Sequence, residues 1–200
     1  MYDLIINNIS KYIDLTKEEK NHFTSLLTFR KIKRNQFLLQ RGEVARYDCF
    51  VKKGCLRSAY IDKNGEEYIL QFAIEDWWIT DFESFINETP AKLEIMALED
   101  TELLQIDKQS LDELFNNYLK FEHFYRLMNE RHFISIYQHL ISFFSESAED
   151  RYLNFVQEYP QFLNRIPQYE IASYLGITPE YLSKIRRKQA EKKNWFLNKN

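Results

Sequence analysis

Apolar and polar positions change rhythm twice along this 200-residue chain. The opening MYDLIINNISKYIDL spaces its apolar residues as a helix does and interrupts them with Asn, Ser, Lys and Asp. That pattern predicts an amphipathic helix and not a secretion signal. Short runs rich in β-branched and aromatic residues follow: NQFLLQ, DCFVKK, CLRSAYID and EEYILQFAI, then two more within AKLEIMALEDTELLQI. Gly42, Gly54 and Gly65 punctuate them at intervals of 12 and 11 residues. Short strands with turn signals at such spacing predict an all-β sandwich or barrel. DKNGEE, Asp62 to Glu67, reads as a hairpin, with Asn64 and Gly65 suited to the positive φ of a type I′ turn. Trp77, Trp78, Phe82 and Phe85 are expected to line an apolar interior.

The rhythm becomes helical at DKQSLDELF and stays so to about Ser145, without a glycine or proline. Phe121, Phe124, Tyr125, Met128, Phe133, Ile136, Leu140, Phe143 and Phe144 recur at helical spacing. Phe133, Ile136, Leu140 and Phe143 follow one another at +3, +4 and +3, a coiled-coil-like seam that predicts pairing with a second copy. SESAEDRYLNFVQEYP is a further helix ended by Pro160, and IPQYEIASYLG and ITPEYLSKIRRK are two short helices meeting at Gly176. The fold class is α+β. Residues 1–115 form an N-terminal helix and β-barrel, 116–145 a linking and dimerisation helix, and 146–200 a small helical domain.

Charge sharpens the division. The net charge of −3 conceals 19 Lys and Arg against 27 Asp and Glu in residues 1–160, and 8 against 3 in residues 161–200. An acidic body with a basic end suggests that only the end meets a polyanion. No stretch approaches the roughly 18 apolar residues of a membrane span. Cys49 and Cys55 are too few for a disulfide framework, a four-thiolate cluster or an all-cysteine zinc site, and fit buried thiols in a reducing cytoplasm. An enzyme is not expected: no Gly-rich phosphate loop exists, and His22, His123, His132 and His139 lack a metal-site pattern. His132 and His139 are assigned to the seam or the surface.

The basic end carries the motif. Gly176 suits the left-handed residue that ends a helix, Thr178 an N-cap, and Pro179 the first helical position. Ile177 and Leu182 occupy the places of a hydrophobic staple. Ile171, Ala172 and Leu175 on one helix face Leu182 and Ile185 on the next, giving a helix-turn-helix whose second helix has a polar outer side. Such a helix enters the major groove of double-stranded DNA. Glu180 can accept from cytosine and Lys184 can donate to guanine, while Tyr181 and Ser183 share that face. Arg186, Arg187 and Lys188, together with Gln168 and Tyr169 on the first helix, suit phosphates.

IPQYEIASYLGITPEYLSKIRRK resembles the helix-turn-helix of the Crp/Fnr family of bacterial transcription regulators, and LLQRGEVARYDCFVKKGCLRSAYIDKNGEEYILQFAIEDWW resembles that family's cyclic-nucleotide-binding-like β-roll. The resemblance implies a jelly-roll sensor, a dimerising helix around residues 118–145 and a winged helix-turn-helix, in a cytoplasmic homodimer reading a two-fold operator. It places the family's base-reading glutamate on Glu180 and its basic partner on Lys184; Pro179 stands where an arginine is customary. The wing would lie in QAEKKNWFLNKN, where NWFL is strand-like. In the family's phosphate cassette, Thr80-Asp81 replaces Gly-Glu and Ala91-Lys92 falls near Arg-Ser. Asp81 and Lys92 are therefore the candidate effector-pocket residues, cyclic AMP is not the expected ligand, and another effector stays open. No metal or cofactor is expected. The alternative is an effector-sensing or protein-interaction module without DNA binding.

Overall fold

The computed structural model describes residues 1–197. Two helices, α1 (Asp3–Ser10) and α2 (Lys17–Ser25), precede strands β1 (Thr28–Ile32), β2 (Phe37–Leu39), β3 (Tyr47–Lys53), β4 (Cys55–Ile61), β5 (Glu67–Ile74) and β6 (Trp78–Ile79). A short helix α3 (Phe82–Asn87) is followed by β7 (Leu93–Ala97) and β8 (Thr101–Asp107). The strands form two four-stranded sheets, β1-β8-β3-β6 and β2-β7-β4-β5, with antiparallel neighbours throughout. Helices α4 (Lys108–Asn117), α5 (Leu119–Ser145), α6 (Ala148–Glu158), α7 (Gln168–Tyr174) and α8 (Pro179–Leu197) complete the described chain.

All six predicted strand runs are strands. The β4–β5 hairpin forms with a different turn, because only Gly65 takes a positive φ (84°) and Asn64 does not. The Asp62 carboxylate organises the loop instead, accepting from the Asn64 and Glu66 N–H groups at 2.7 and 2.9 Å. β1 and β6 escape the hydrophobic pattern: TFRKI is mostly exposed, and β6 is two residues long. Trp77 and Trp78 do not line the roll. Trp78 stacks edge-on against Phe50 and Tyr125 beneath α5, Trp77 packs on Tyr159 and Phe162, Phe82 is exposed, and Phe85 alone of the four is fully buried.

Two apolar clusters hold the chain together, and β4 belongs to both. Five consecutive residues, Cys55 to Ala59, are buried. Alternation along a strand sends successive side chains to opposite faces. Leu56 accordingly joins the roll interior with Val51, Ala73, Ile95 and Leu103. Cys55 and Ala59, with Ile69, Phe72 and Ile74 of β5, point outward into a second cluster with Phe155, Phe162, Ile171 and Leu175. A sheet face that would otherwise be solvated is thus the floor of the C-terminal unit.

The expected single long helix is two. The chain turns at Tyr118 (φ −143°, ψ 91°), whose ring packs edge-on against His22 and Phe121. A tertiary contact makes the break where no Gly or Pro signals one. The first third of α5 is anchored to the roll by fully buried Phe121 and Phe124, each worth about 1.5–3 kcal/mol of burial. The expected wing strand NWFL is helical, since α8 runs to Leu197; no strand follows β8 among the described residues.

Beneath α5 lies a buried carboxylate. The Asp48 carboxylate has one hydrogen bond among the described residues, from its neighbour Cys49 N–H at 2.9 Å, and desolvation pushes its pKa up to about 7. The nearby Tyr125 hydroxyl is buried without a hydrogen-bond partner. A carboxylate whose folded pKa is raised leaves stability intact below its unfolded pKa of about 4 and lowers it as pH rises through about 7. Asp48→Asn is therefore expected to stabilise the protein at pH 8 by on the order of 2–4 kcal/mol, with the gain vanishing towards pH 4. Denaturant titrations of both proteins across that range measure it.

Candidate nucleic-acid interface

The turn between α7 and α8 is built as its residues dictate. Gly176 adopts φ +65°, the Ile177 N–H reaches back to the Ala172 carbonyl at 3.0 Å, and the Gly176 N–H reaches Ser173 at 3.0 Å. This is a Schellman stop. Thr178 then caps α8, its hydroxyl accepting from the Tyr181 N–H at 3.2 Å, and Pro179 opens the helix. Leu182 and Ile185 are buried against Ile171, Ala172 and Leu175, so one side of α8 is fixed inward.

The other side faces solvent. Glu180, Tyr181, Ser183, Lys184, Arg186, Arg187 and Lys188 are all exposed, as are Thr178 and Tyr169. The Glu180 carboxylate is held below its usual range by its own N–H and by the Thr178 hydroxyl, which keeps it an acceptor at neutral pH. Lys184 and Arg186 make no ion pair among the described residues, and Arg187 lies 3.8 Å from Glu191 in an exposed pair. Lys188 differs: its ammonium binds Glu149 of α6 at 2.6 Å, which ties α8 to its neighbour. Gln168 is half-buried, and its side-chain oxygen is buried without a partner.

The α7–α8 pair is seated on the outer face of β4 and β5 by contacts the sequence reading did not identify. Arg165, just before α7, reaches Glu75 (2.7 and 3.1 Å), Glu99 (2.9 and 2.7 Å) and the Gly54 carbonyl (2.9 Å). These hydrogen bonds hold Arg165 protonated; at Glu75, burial pushes the pKa up, but Arg165 and the Gly54 N–H outweigh it and leave it lowered. Arg57, on the outward face of β4, lies between Glu67 (2.9 Å) and Glu170 of α7 (3.2 Å). Burial raises the Glu170 pKa, and Arg57 offsets only part of that. The Ser173 hydroxyl accepts from Ile69 N–H at 3.1 Å and donates to the Glu67 carbonyl at 2.9 Å. The one available clue was an arginine set inside the apolar strand CLRSAYI, a charge that needs a buried partner.

The two candidate effector-pocket residues point apart. Asp81 is buried and caps α3, its carboxylate accepting from the N–H groups of Ser84, Lys92 and Leu93, each at 3.1 Å. Lys92 is turned outward, paired with Glu83 at 2.8 Å, and Ala91 is buried. Thr80 donates to the Tyr47 carbonyl at 3.0 Å.

Beyond residue 130, α5 leaves the roll with an apolar side bare. Phe133, Ile136, Tyr137, Leu140, Ile141 and Phe144 are all about half exposed or more. The opposite side is polar. There Ser135, Gln138, His139 and Ser142 border a cleft of about 520 Å³ against α6 and α7, and His139 stacks on Tyr174 at 4.4 Å. His139 therefore faces the C-terminal unit and not the seam. No described helix is long and apolar enough to cross a membrane.

Comparison with known proteins agrees with this geometry. Residues 29–118 match the cyclic nucleotide-binding domain family. No curated protein matches the chain in sequence. Among solved structures, FixK2 from Bradyrhizobium japonicum is 18% identical with a TM-score of 0.74, over 83% of this chain and 85% of that one. The catabolite activator protein of Thermus thermophilus is 21% identical with a TM-score of 0.55, over 89% and 85%. A Eubacterium rectale protein described as a transcriptional regulator of the Crp/Fnr family is 18% identical with a TM-score of 0.69, over 89% and 85%. At these identities the likeness is one of fold. Residues 29–118 are thus similar in sequence to cyclic nucleotide-binding domains, and the described chain shares its fold with these solved structures, one of which is described as a Crp/Fnr regulator.

Proposed function

We propose that this protein is a transcription regulator that binds double-stranded DNA as a homodimer. The observation that carries the reading is the exposed side of α8. One helix presents an acceptor, Glu180, and a donor, Lys184, a turn apart, flanked by Arg186 and Arg187, while its other side is locked by Leu182 and Ile185. Recognition helices in this motif put their N-terminal residues against base edges, and cations further along meet phosphates. Thr178, Tyr181 and Ser183 stand beside Glu180 in the reading portion; Tyr169, and Gln168 through its exposed part, adjoin the phosphate path. Lys188 contributes less than its neighbours because Glu149 already holds it.

The bare apolar side of α5 supports the homodimer. A second copy of the same helix offers a self-complementary surface, as two-fold pairing requires. Two recognition helices about 34 Å apart would then enter successive major grooves on one side of the duplex.

Asp81 and Lys92 support a roll that does not take a cyclic nucleotide. A ligand phosphate would need backbone donors and a fixed cation. The donors at Ser84, Lys92 and Leu93 are engaged by Asp81, and the Lys92 ammonium is turned to Glu83. A second anion there would also face the Asp81 charge.

Lys184→Ala is expected to cost roughly 1–3 kcal/mol on a preferred site and to relax choice at one base pair per half-site. Arg187→Ala should weaken specific and random duplexes alike. Identical behaviour of both variants on both DNAs would refute these roles, and an absence of wild-type binding even at low salt would favour the protein-interaction reading. Calorimetric titration with cyclic AMP or cyclic GMP should give no saturable heat in the micromolar range. Leu140→Asp should sediment as a monomer where the parent is a dimer, with the circular dichroism of the roll unchanged.

A further inference from the structure

The two apolar clusters fix that the C-terminal unit sits on the roll, but not at what angle. Apolar burial is non-directional, and packed faces of this kind can slide or pivot. A guanidinium hydrogen-bonded to carboxylates is directional, because its planar donors match only one arrangement of acceptors. Arg165 is in that position. It lies in the segment leading into α7 and joins three separate turns of the roll: Gly54 between β3 and β4, Glu75 after β5, and Glu99 between β7 and β8. The anchor is itself stiff. Gly54 has φ +107°, its N–H is held by Glu75 at 2.7 Å, and a Cβ there would run into Thr101. The Arg165 side chain is only a quarter exposed, so salt screens the tie little.

We propose that Arg165 is a positioning residue for DNA binding: it fixes where α8 points relative to the dimer helix α5, and so sets the spacing of the two half-sites that the dimer accepts. This rests on the DNA-binding and homodimer readings above. A two-headed binder gains avidity only when both heads engage at once, and that gain is lost where the geometry forbids it. With α8 held at one angle, a single half-site separation satisfies both heads. With the tie cut, the apolar seat and the contacts of α7 at Arg57 and Ser173 remain, but the segment before α7 is released from the three turns of the roll; α8 is then held less narrowly and more than one separation becomes acceptable.

The test begins with a duplex site selected by the wild-type protein from random sequence, remade with one to three base pairs inserted or deleted at its centre. Wild type should lose about a hundredfold in affinity on the wrong spacings, the scale of bivalent avidity. Arg165→Gln should flatten that profile to within a few-fold while keeping wild-type affinity for an isolated half-site. The double variant Glu75→Gln with Glu99→Gln cuts the same tie from the roll side, should behave alike, and decides the matter if Arg165→Gln does not fold. Parallel loss on every duplex, half-site included, would make Arg165 merely structural and overturn the proposal. An unchanged spacing profile would overturn it as well. If the wild type selects no site at all, the DNA-binding reading itself fails; if it selects a lone half-site, the homodimer reading fails and this proposal with it.

Discussion

The outer face of β4 and β5 is the constraint on which the arrangement depends. One strand, Cys55 to Ala59, is buried on both sides, so the roll and the C-terminal helices share a sheet instead of meeting at a wet surface. Phe72 contacts Phe162 and Tyr174, and Trp77 contacts Tyr159 and Phe162; these rings leave little of the C-terminal core independent of the roll. The apolar face keeps the C-terminal unit on the roll, and the polar contacts at Arg57 and Arg165, made inside or at the rim of that face, supply the direction that apolar burial lacks.

This sharing also explains what could be read from the chain. Strand runs, the helical rhythm after Lys108 and the stop-and-cap at Gly176 to Pro179 depend on local preference, and the residues that set them lie within a few positions. The exposed side of α8 followed from the same local pattern. The two-sided burial of β4 did not: a continuous apolar run shows that both faces are covered but not what covers the second. The kink at Tyr118 rests on His22 and Phe121, one of them almost a hundred residues away, and carries no local breaker. The strand expected at NWFL rests on the family's wing, yet these residues continue a helix opened by a strong N-terminus and interrupted by no Gly or Pro, so propagation outweighs the preference of single residues.

Asp81 shows how a side chain can fill an anion site from within the chain. Three backbone N–H groups converging on one point make an anion site, whatever the anion is. Here the anion is covalently part of the chain and needs no binding from solution, so α3 is held against the start of β7 permanently. Ser84 adds to the same lock, accepting from the Ala45 N–H at 2.9 Å and donating to the Thr89 carbonyl at 2.6 Å. An element that a diffusible ligand could have ordered is ordered already.

The acidic body and the basic end are not simply two opposed patches. Glu75 and Glu99 hold Arg165, Glu67 and Glu170 hold Arg57, and Glu149 holds Lys188. The acids at this junction thus sort the nearby cations into those that are held and those left on the outer side. Arg57 and Arg165 are sunk in the shared face and orient α7; Lys188 is tied to α6 and steadies α8. Lys184, Arg186 and Arg187 remain on the outer side with at most an exposed pair, and such pairs hold little. A polyanion sheds its condensed counterions only where free cations neutralise its charge, so under the reading proposed above the affinity of this end would depend on the cations that the acids leave unpaired and not on the total. The same carboxylates that make the body acidic therefore aim the helix and select which positive charges it presents.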